Sequence, residues 1–132
     1  MVLLLACSEQ PSAPEPLDTY RGQWLVINYW ASWCKPCITE VPELNKLDAE
    51  HNNITVLGVN YDGATGEELK SQESRLNIRF PTIPAPHNEL ALPAPQVLPT
   101  SFIVNPEGQI TDILIGPQSA HELLLRIQSA SL

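Results

Sequence analysis

The sequence predicts an α/β domain, and three observations carry that prediction. A continuous apolar run from Trp24 to Trp30 gives way, after Cys34, to apolar residues at helical spacing and then to a second β-rich run, Ile54 to Val59. Two such runs flanking a helix make a βαβ unit, whose strands are parallel and whose crossover is right-handed. Further on, the β-rich runs Ser101–Val104 and Ile110–Ile115 are separated by the turn Asn105-Pro106-Glu107-Gly108, which predicts a hairpin.

The elements follow in order. Trp24 to Trp30 has one polar interruption, Asn28, which is the pattern of a strand buried on both faces of a sheet. Val41, Leu44 and Leu47 then recur three apart and Asn52-Asn53 closes the segment; Pro42 inside it predicts a kink. Thr65 and Glu68 fit a capping box for a second helix over Glu67 to about Leu76. From Phe80 to Gln96 the prolines 81, 84, 86, 93 and 95 remove too many amide donors for a central strand or a stable helix, so a long surface loop is expected. After the hairpin, Gly116-Pro117 is a break, and Ser119 with Glu122 is a second capping box ahead of Leu123, Leu124 and Ile127 on one helical face.

The chain has 132 residues and is 43% hydrophobic, enough for one domain with one core. Seven Lys and Arg against fifteen Asp and Glu give a formal charge of -8, with no basic run to neutralise phosphates, so nucleic acid is excluded as a partner. No stretch reaches the roughly 20 apolar residues of a membrane-spanning helix. At the amino end, Val2-Leu3-Leu4-Leu5-Ala6 runs into Cys7 and resembles a bacterial lipobox, although a full signal has a basic segment and a longer apolar stretch of about 7–15 residues. Ser8 to Pro16 holds three prolines and no large apolar side chain, a composition that stays extended. Residues 1–17 are therefore expected to be a truncated lipoprotein signal remnant and a Pro-rich tether, and 18–132 the folded domain. Lipid on Cys7 would also remove the odd thiol among three cysteines.

The motif with the most chemistry is Trp33-Cys34-Lys35-Pro36-Cys37, at the junction of the buried strand and the helix. Two cysteines separated by two residues in a first helical turn bring their sulfurs within disulfide range, and Pro36 suits a position whose amide has no partner. Cys34 opens the helix, where free amides and the positive end of the dipole stabilise a thiolate, so it is the expected exposed nucleophile. Cys37, one turn in, is the expected shielded, resolving thiol. The same spacing also serves a structural disulfide or half of a metal site, although no second cysteine pair or nearby His completes a zinc tetrahedron. His51, His87 and His121 are scattered and make no ligand set. Trp30 and Trp33 read first as packing groups, with Trp33 also able to shape a substrate groove beside the thiol.

Residues Ile27 to Cys37 (INYWASWCKPC), followed by Glu40 and Pro42, together with Val97 to Gly108 (VLPTSFIVNPEG), resemble the thioredoxin superfamily, and more narrowly its TlpA/ResA/DsbE-like extracytoplasmic branch. The resemblance spans about Asp18 to the carboxyl end. It implies a three-layer sandwich with a central mixed sheet flanked by helices. It also implies an enzyme, a thiol–disulfide oxidoreductase without cofactor or resident metal, in which Cys34 attacks and Cys37 resolves. Pro99 matches the cis-proline opposite the dithiol, and Leu98 before it would offer its backbone to a client strand. Trp33, Lys35 and Pro36 would border that client. Glu40 matches the acid of this branch; three residues after Cys37 it shares that side of the helix, and partly buried it could carry protons to and from the thiols.

Two positions depart from the pattern. Asn28 stands where cytoplasmic relatives carry a buried aspartate, leaving Glu40 as the proton route, and Ile38 replaces a residue that is commonly basic. The implied partners are disulfides of client proteins, apocytochrome c among them, and a membrane thiol reductase of the DsbD/CcdA type. The implied location is periplasmic or extracytoplasmic, as a lipid-anchored monomer. The competing reading is a copper or zinc carrier of the same fold with Cys34 and Cys37 as ligands, although copper-delivery relatives pair a longer cysteine spacing with a downstream His. A peroxidase of the related peroxiredoxin group would carry a Thr-x-x-Cys signature that the chain lacks.

Overall fold

The computed structural model describes residues 15–83 and 92–132. A 3₁₀ helix, Glu15–Tyr20, leads into strand β1 (Trp24–Trp30), helix α1 (Lys35–Glu50), strand β2 (Ile54–Asn60) and helix α2 (Gly66–Leu76). The hairpin of β3 (Thr100–Val104) and β4 (Ile110–Ile115) follows, then helix α3 (Ala120–Ala130). The sheet order is β2-β1-β3-β4, with β1 parallel to β2 and both other pairs antiparallel. This is the mixed sheet that the sequence implied, with the βαβ unit as its parallel half and the hairpin as its antiparallel half.

All seven residues of β1 are buried, as a central strand requires, and alternation sorts them between two clusters. Trp24 and Val26 pack with Leu44 and Leu47 of α1 and with Leu123 and Ile127 of α3. Leu25, Ile27 and Tyr29 face the other way, against Leu17, Leu57, Val59, Ile83, Phe102 and Val104. Asn28 and Trp30 share the helix-covered face, beneath the start of α1. Helix α2 adds Leu69 and Leu76 to a third cluster around Trp30, Ala31, Cys34 and Cys37.

Several expectations change in detail. Leu17 is buried in the core, so packing reaches back into the segment read as tether; Cys7 lies outside the described residues. Helix α1 is assigned without a break through Pro42 and ends at Glu50, before Asn52-Asn53. Helix α2 opens at Gly66, and its N-cap Thr65 makes no side-chain cap bond, so the expected capping box is not formed; Ser119 does cap α3, accepting from the amide of Glu122 at 3.0 Å. The segment expected as a surface loop begins inside the core instead. Phe80 and Ile83 are buried, and Thr82 forms a parallel bridge to Gly58. The bridge uses the carbonyl of Pro81 and the amide of Ile83, both bonded to Gly58 at 2.8 Å, so the missing amide of Pro81 costs nothing there. Pro84 to Ala91 lie outside the described residues.

Candidate functional site

Helix α1 begins where buried β1 ends, and Cys34 is its N-cap. The Cys34 sulfur accepts from the backbone amide of Cys37 at 3.3 Å, so a donor at the helix start already points at it. Cys34 and Cys37 form a disulfide with Cα atoms 5.3 Å apart. Cys37 is 1% exposed and Cys34 5% exposed, so the expected contrast between an open and a shielded cysteine is small in this oxidised form. Lys35 and Pro36 project from the first turn into solvent. Trp33 is 64% exposed, and its indole Nε1 donates to Oδ2 of Asp62 at 2.8 Å, a partner on the turn after β2 that sequence spacing did not suggest.

The Leu98–Pro99 peptide bond is cis. Leu98 is half-buried and packs against the cluster containing Cys34 and Cys37, which places the start of β3 beside the disulfide. The carbonyl of Pro99 accepts from the amide of Gly116 at 2.8 Å, which ties the loop before α3 to this corner. Beyond it, Val97, Ile113 and Ile115 are exposed and line an apolar cleft with Pro93 and Pro95, on the sheet face that α3 does not cover.

Glu40 lies one turn after Cys37 and is 2% exposed. Its Oε1 accepts from Nδ2 of Asn28 at 2.8 Å, and its Oε2 accepts from the backbone amide of Gln118 at 2.6 Å. Burial pushes the carboxyl up to about 7 from an ordinary 4.5, while the Gln118 and Asn28 donors pull the other way by favouring the charged form. An acid balanced near neutrality beside a dithiol can take up or release a proton as the sulfurs change state. Gln118 contributes only a backbone amide, for which no residue type is a signal.

Of the residues singled out in the sequence, the structure gathers Cys34, Cys37, Leu98 and Pro99 at one corner, with Trp33, Lys35 and Pro36 at its edge and Glu40 beneath. His51 caps the end of α1, His121 lies in the first turn of α3, and His87 is outside the described residues.

Comparison with known proteins agrees with this geometry. Residues 14–113 match the AhpC/TSA family, and the chain belongs to that family. It is 30% identical over 120 residues to the thiol-disulfide oxidoreductase ResA of Geobacillus kaustophilus, covering 86% of this chain and 66% of that protein. The chain spans just under two thirds of the length of the curated relatives it matches first. Among solved structures it is similar to StoA of Bacillus subtilis, at 26% identity and a TM-score of 0.65, over 81% of this chain and 84% of that one. A DsbF homologue from Corynebacterium diphtheriae superposes with a TM-score of 0.74 at 23% identity, over 86% and 75% of the two chains, and shares the fold. The fold is thioredoxin-like.

Proposed function

We propose that this chain is a thiol–disulfide oxidoreductase that reduces disulfides in extracytoplasmic client proteins. The observation that carries the reading is the Cys34–Cys37 pair at the first turn of α1, flanked by Leu98 and cis Pro99 and backed by buried Glu40. The thiolate of Cys34 attacks one client sulfur, forming a mixed disulfide and releasing the other client sulfur as a thiolate that takes up a proton. Cys37 loses its proton and attacks Cys34; the client leaves with two thiols, and the enzyme keeps the Cys34–Cys37 bond. Two electrons pass to the client in each cycle. Glu40 is the group proposed to receive and return the proton of Cys37.

Trp33, Lys35, Pro36 and the backbone of Leu98 are the proposed client contacts, and a membrane thiol reductase of the DsbD/CcdA type the proposed electron donor. Lipid on Cys7, with the residues between it and the 3₁₀ helix as spacer, would hold the domain at the membrane surface. Ala31 stands three residues before Cys34, where a peroxidatic Thr-x-x-Cys signature would need threonine. Among the described residues no three His, Cys, Asp or Glu side chains gather to bind a metal, so a metal carrier would draw there on the Cys34 and Cys37 sulfurs.

The test is insulin reduction by the dithiothreitol-primed protein. Wild type accelerates precipitation of the insulin B chain, Cys34→Ser abolishes the effect, and Cys37→Ser stalls after one stoichiometric reaction. Full activity in Cys34→Ser overturns the assignment of the nucleophile; tight binding of one metal equivalent with no reduction overturns the enzyme in favour of the carrier.

A further inference from the structure

The surroundings of Glu40 include a polar pair to which the chemistry above gives no task. Asn28 on β1 and Ser101 on β3 are direct partners in the antiparallel register, and both are buried. Nδ2 of Asn28 donates to Ser101 Oγ at 3.0 Å and to Glu40 Oε1 at 2.8 Å. A side-chain amide nitrogen has two hydrogens, and here each has its own acceptor. Rotating the amide by half a turn would set its oxygen against the carboxylate and lose the bond to Glu40, while the Ser101 hydroxyl, which can donate as well as accept, would still serve as its partner.

The remaining side of the acid is closed by the loop before α3. Gln118 donates its amide to Oε2, and two residues earlier Gly116 donates to the carbonyl of Pro99. Ser101 itself lies two residues after Pro99. The corner that carries the cis proline and the group that holds Glu40 are therefore parts of one hydrogen-bonded frame, built from β1, α1, β3 and the loop.

We propose that Asn28 and Ser101 are positioning residues for Glu40: Ser101 accepts the second hydrogen of the Asn28 amide and holds that side chain against the acid, and the amide and the Gln118 backbone hold the two carboxylate oxygens in one orientation. The pair acts through Glu40 and touches no reacting sulfur. Its importance for exchange rests on the reading of Glu40 as the proton carrier for the dithiol. Donation by Asn28 favours the ionised acid, in opposition to burial, so removing it makes Glu40 hold its proton to higher pH. Other ionisable groups near the frame are Cys37 and Glu43, one turn to either side on α1, and His121 and Glu122 in the first turn of α3. Glu43 Oε2 accepts from the amide of Ala120, Tyr29 points to the opposite face of β1, and β3 carries no ionisable group.

The experiment is a carboxyl ¹³C NMR titration of the oxidised protein, with the Glu40 resonance assigned by its loss in Glu40→Gln. Wild type is expected to titrate at about 7. In Asn28→Ala the midpoint moves up by about one pH unit, a tenfold gain in proton affinity, and in Ser101→Ala it moves in the same direction by less. Ser101→Ala removes only a hydroxyl and serves as the second probe if Asn28→Ala does not fold. In the reduced protein, the pH profile of insulin reduction shifts with Asn28→Ala in the wild-type background and not in Glu40→Gln.

Glu40 midpoints unmoved or lowered in both variants, in an enzyme that still reduces insulin, overturn the positioning pair and leave the activity standing. Midpoints that move as stated, in a protein that exchanges no disulfide at any pH, support the pair and overturn the oxidoreductase reading instead.

Discussion

Replacing Glu40 by glutamine should remove a large pH-dependent part of the folding free energy. In the folded chain burial holds this carboxyl at about 7, against 4.5 when exposed. Below 4.5 the folded and unfolded chains are both protonated at this site, and its proton linkage costs nothing. As the pH rises from 4.5 to 7 the unfolded chain releases the proton first, so the folded state loses ground; above 7 both are ionised and the penalty is complete. Between pH 5 and pH 8 the loss amounts to about 2.5 kcal/mol, taking about 1.4 kcal/mol for each pH unit between the two values.

Glutamine at 40 carries no such term, but it presents an NH₂ to one of the two donors, Asn28 Nδ2 or Gln118 N, at a cost of about 1–3 kcal/mol at every pH. The assay is urea unfolding of the oxidised wild type and Glu40→Gln at both pH values. Wild type should be the more stable at pH 5, and its advantage should shrink or reverse by about 2.5 kcal/mol at pH 8. An advantage equal at the two pH values would refute the reasoning, because it would mean that Glu40 titrates alike in both states.

Four further substitutions test the packing, a turn and the helix caps by thermal or urea unfolding. Gly58→Ala places a Cβ 2.8 Å from Trp30 Nε1 and 3.0 Å from Phe80 Cε2, and should cost about 1–3 kcal/mol by wedging β2 from its neighbours. Gly108→Ala forces a side chain into a φ of +87° and against the Arg21 guanidinium, which bonds Asp18 and the Glu107 carbonyl, and should cost a similar 1–3 kcal/mol. Ser119→Ala should cost about 1 kcal/mol by freeing the Glu122 amide. Thr65→Ala, with no side-chain cap bond to lose, should cost only a few tenths; equal losses at the two caps would contradict the hydrogen bonding described.

The parts of the fold legible in the sequence are those where neighbours in space are neighbours along the chain. Trp24–Trp30, the helix after Cys34 and Ile54–Val59 announce the βαβ unit by a change of apolar period, and Asn105-Pro106-Glu107-Gly108 announces the hairpin. The dithiol was legible for the same reason, since strand, cysteines and helix are contiguous. The pairing of Asn28 with Ser101, 73 residues apart, depends on the β1–β3 register, which no local pattern encodes. Half of the grip on Glu40 comes from the backbone amide of Gln118, 78 residues away, a group that every residue but proline carries. Phe80 to Ile83 escapes a count of prolines, which treats every amide as needed, whereas a bridge at a sheet edge needs only some of them. Thr65 shows the converse: a capping sequence does not oblige the hydroxyl to turn toward the helix.

The claim on which the function depends is that Cys34 is the sulfur that joins a client and Cys37 the one that frees it. The direct measurement is trapping with a synthetic peptide that carries one disulfide, followed by mass spectrometry without reductant. Cys37→Ser should accumulate a mixed disulfide between Cys34 and the peptide, and Cys34→Ser should accumulate none. An adduct on Cys37 in Cys34→Ser, with Cys37→Ser inert, would contradict the account.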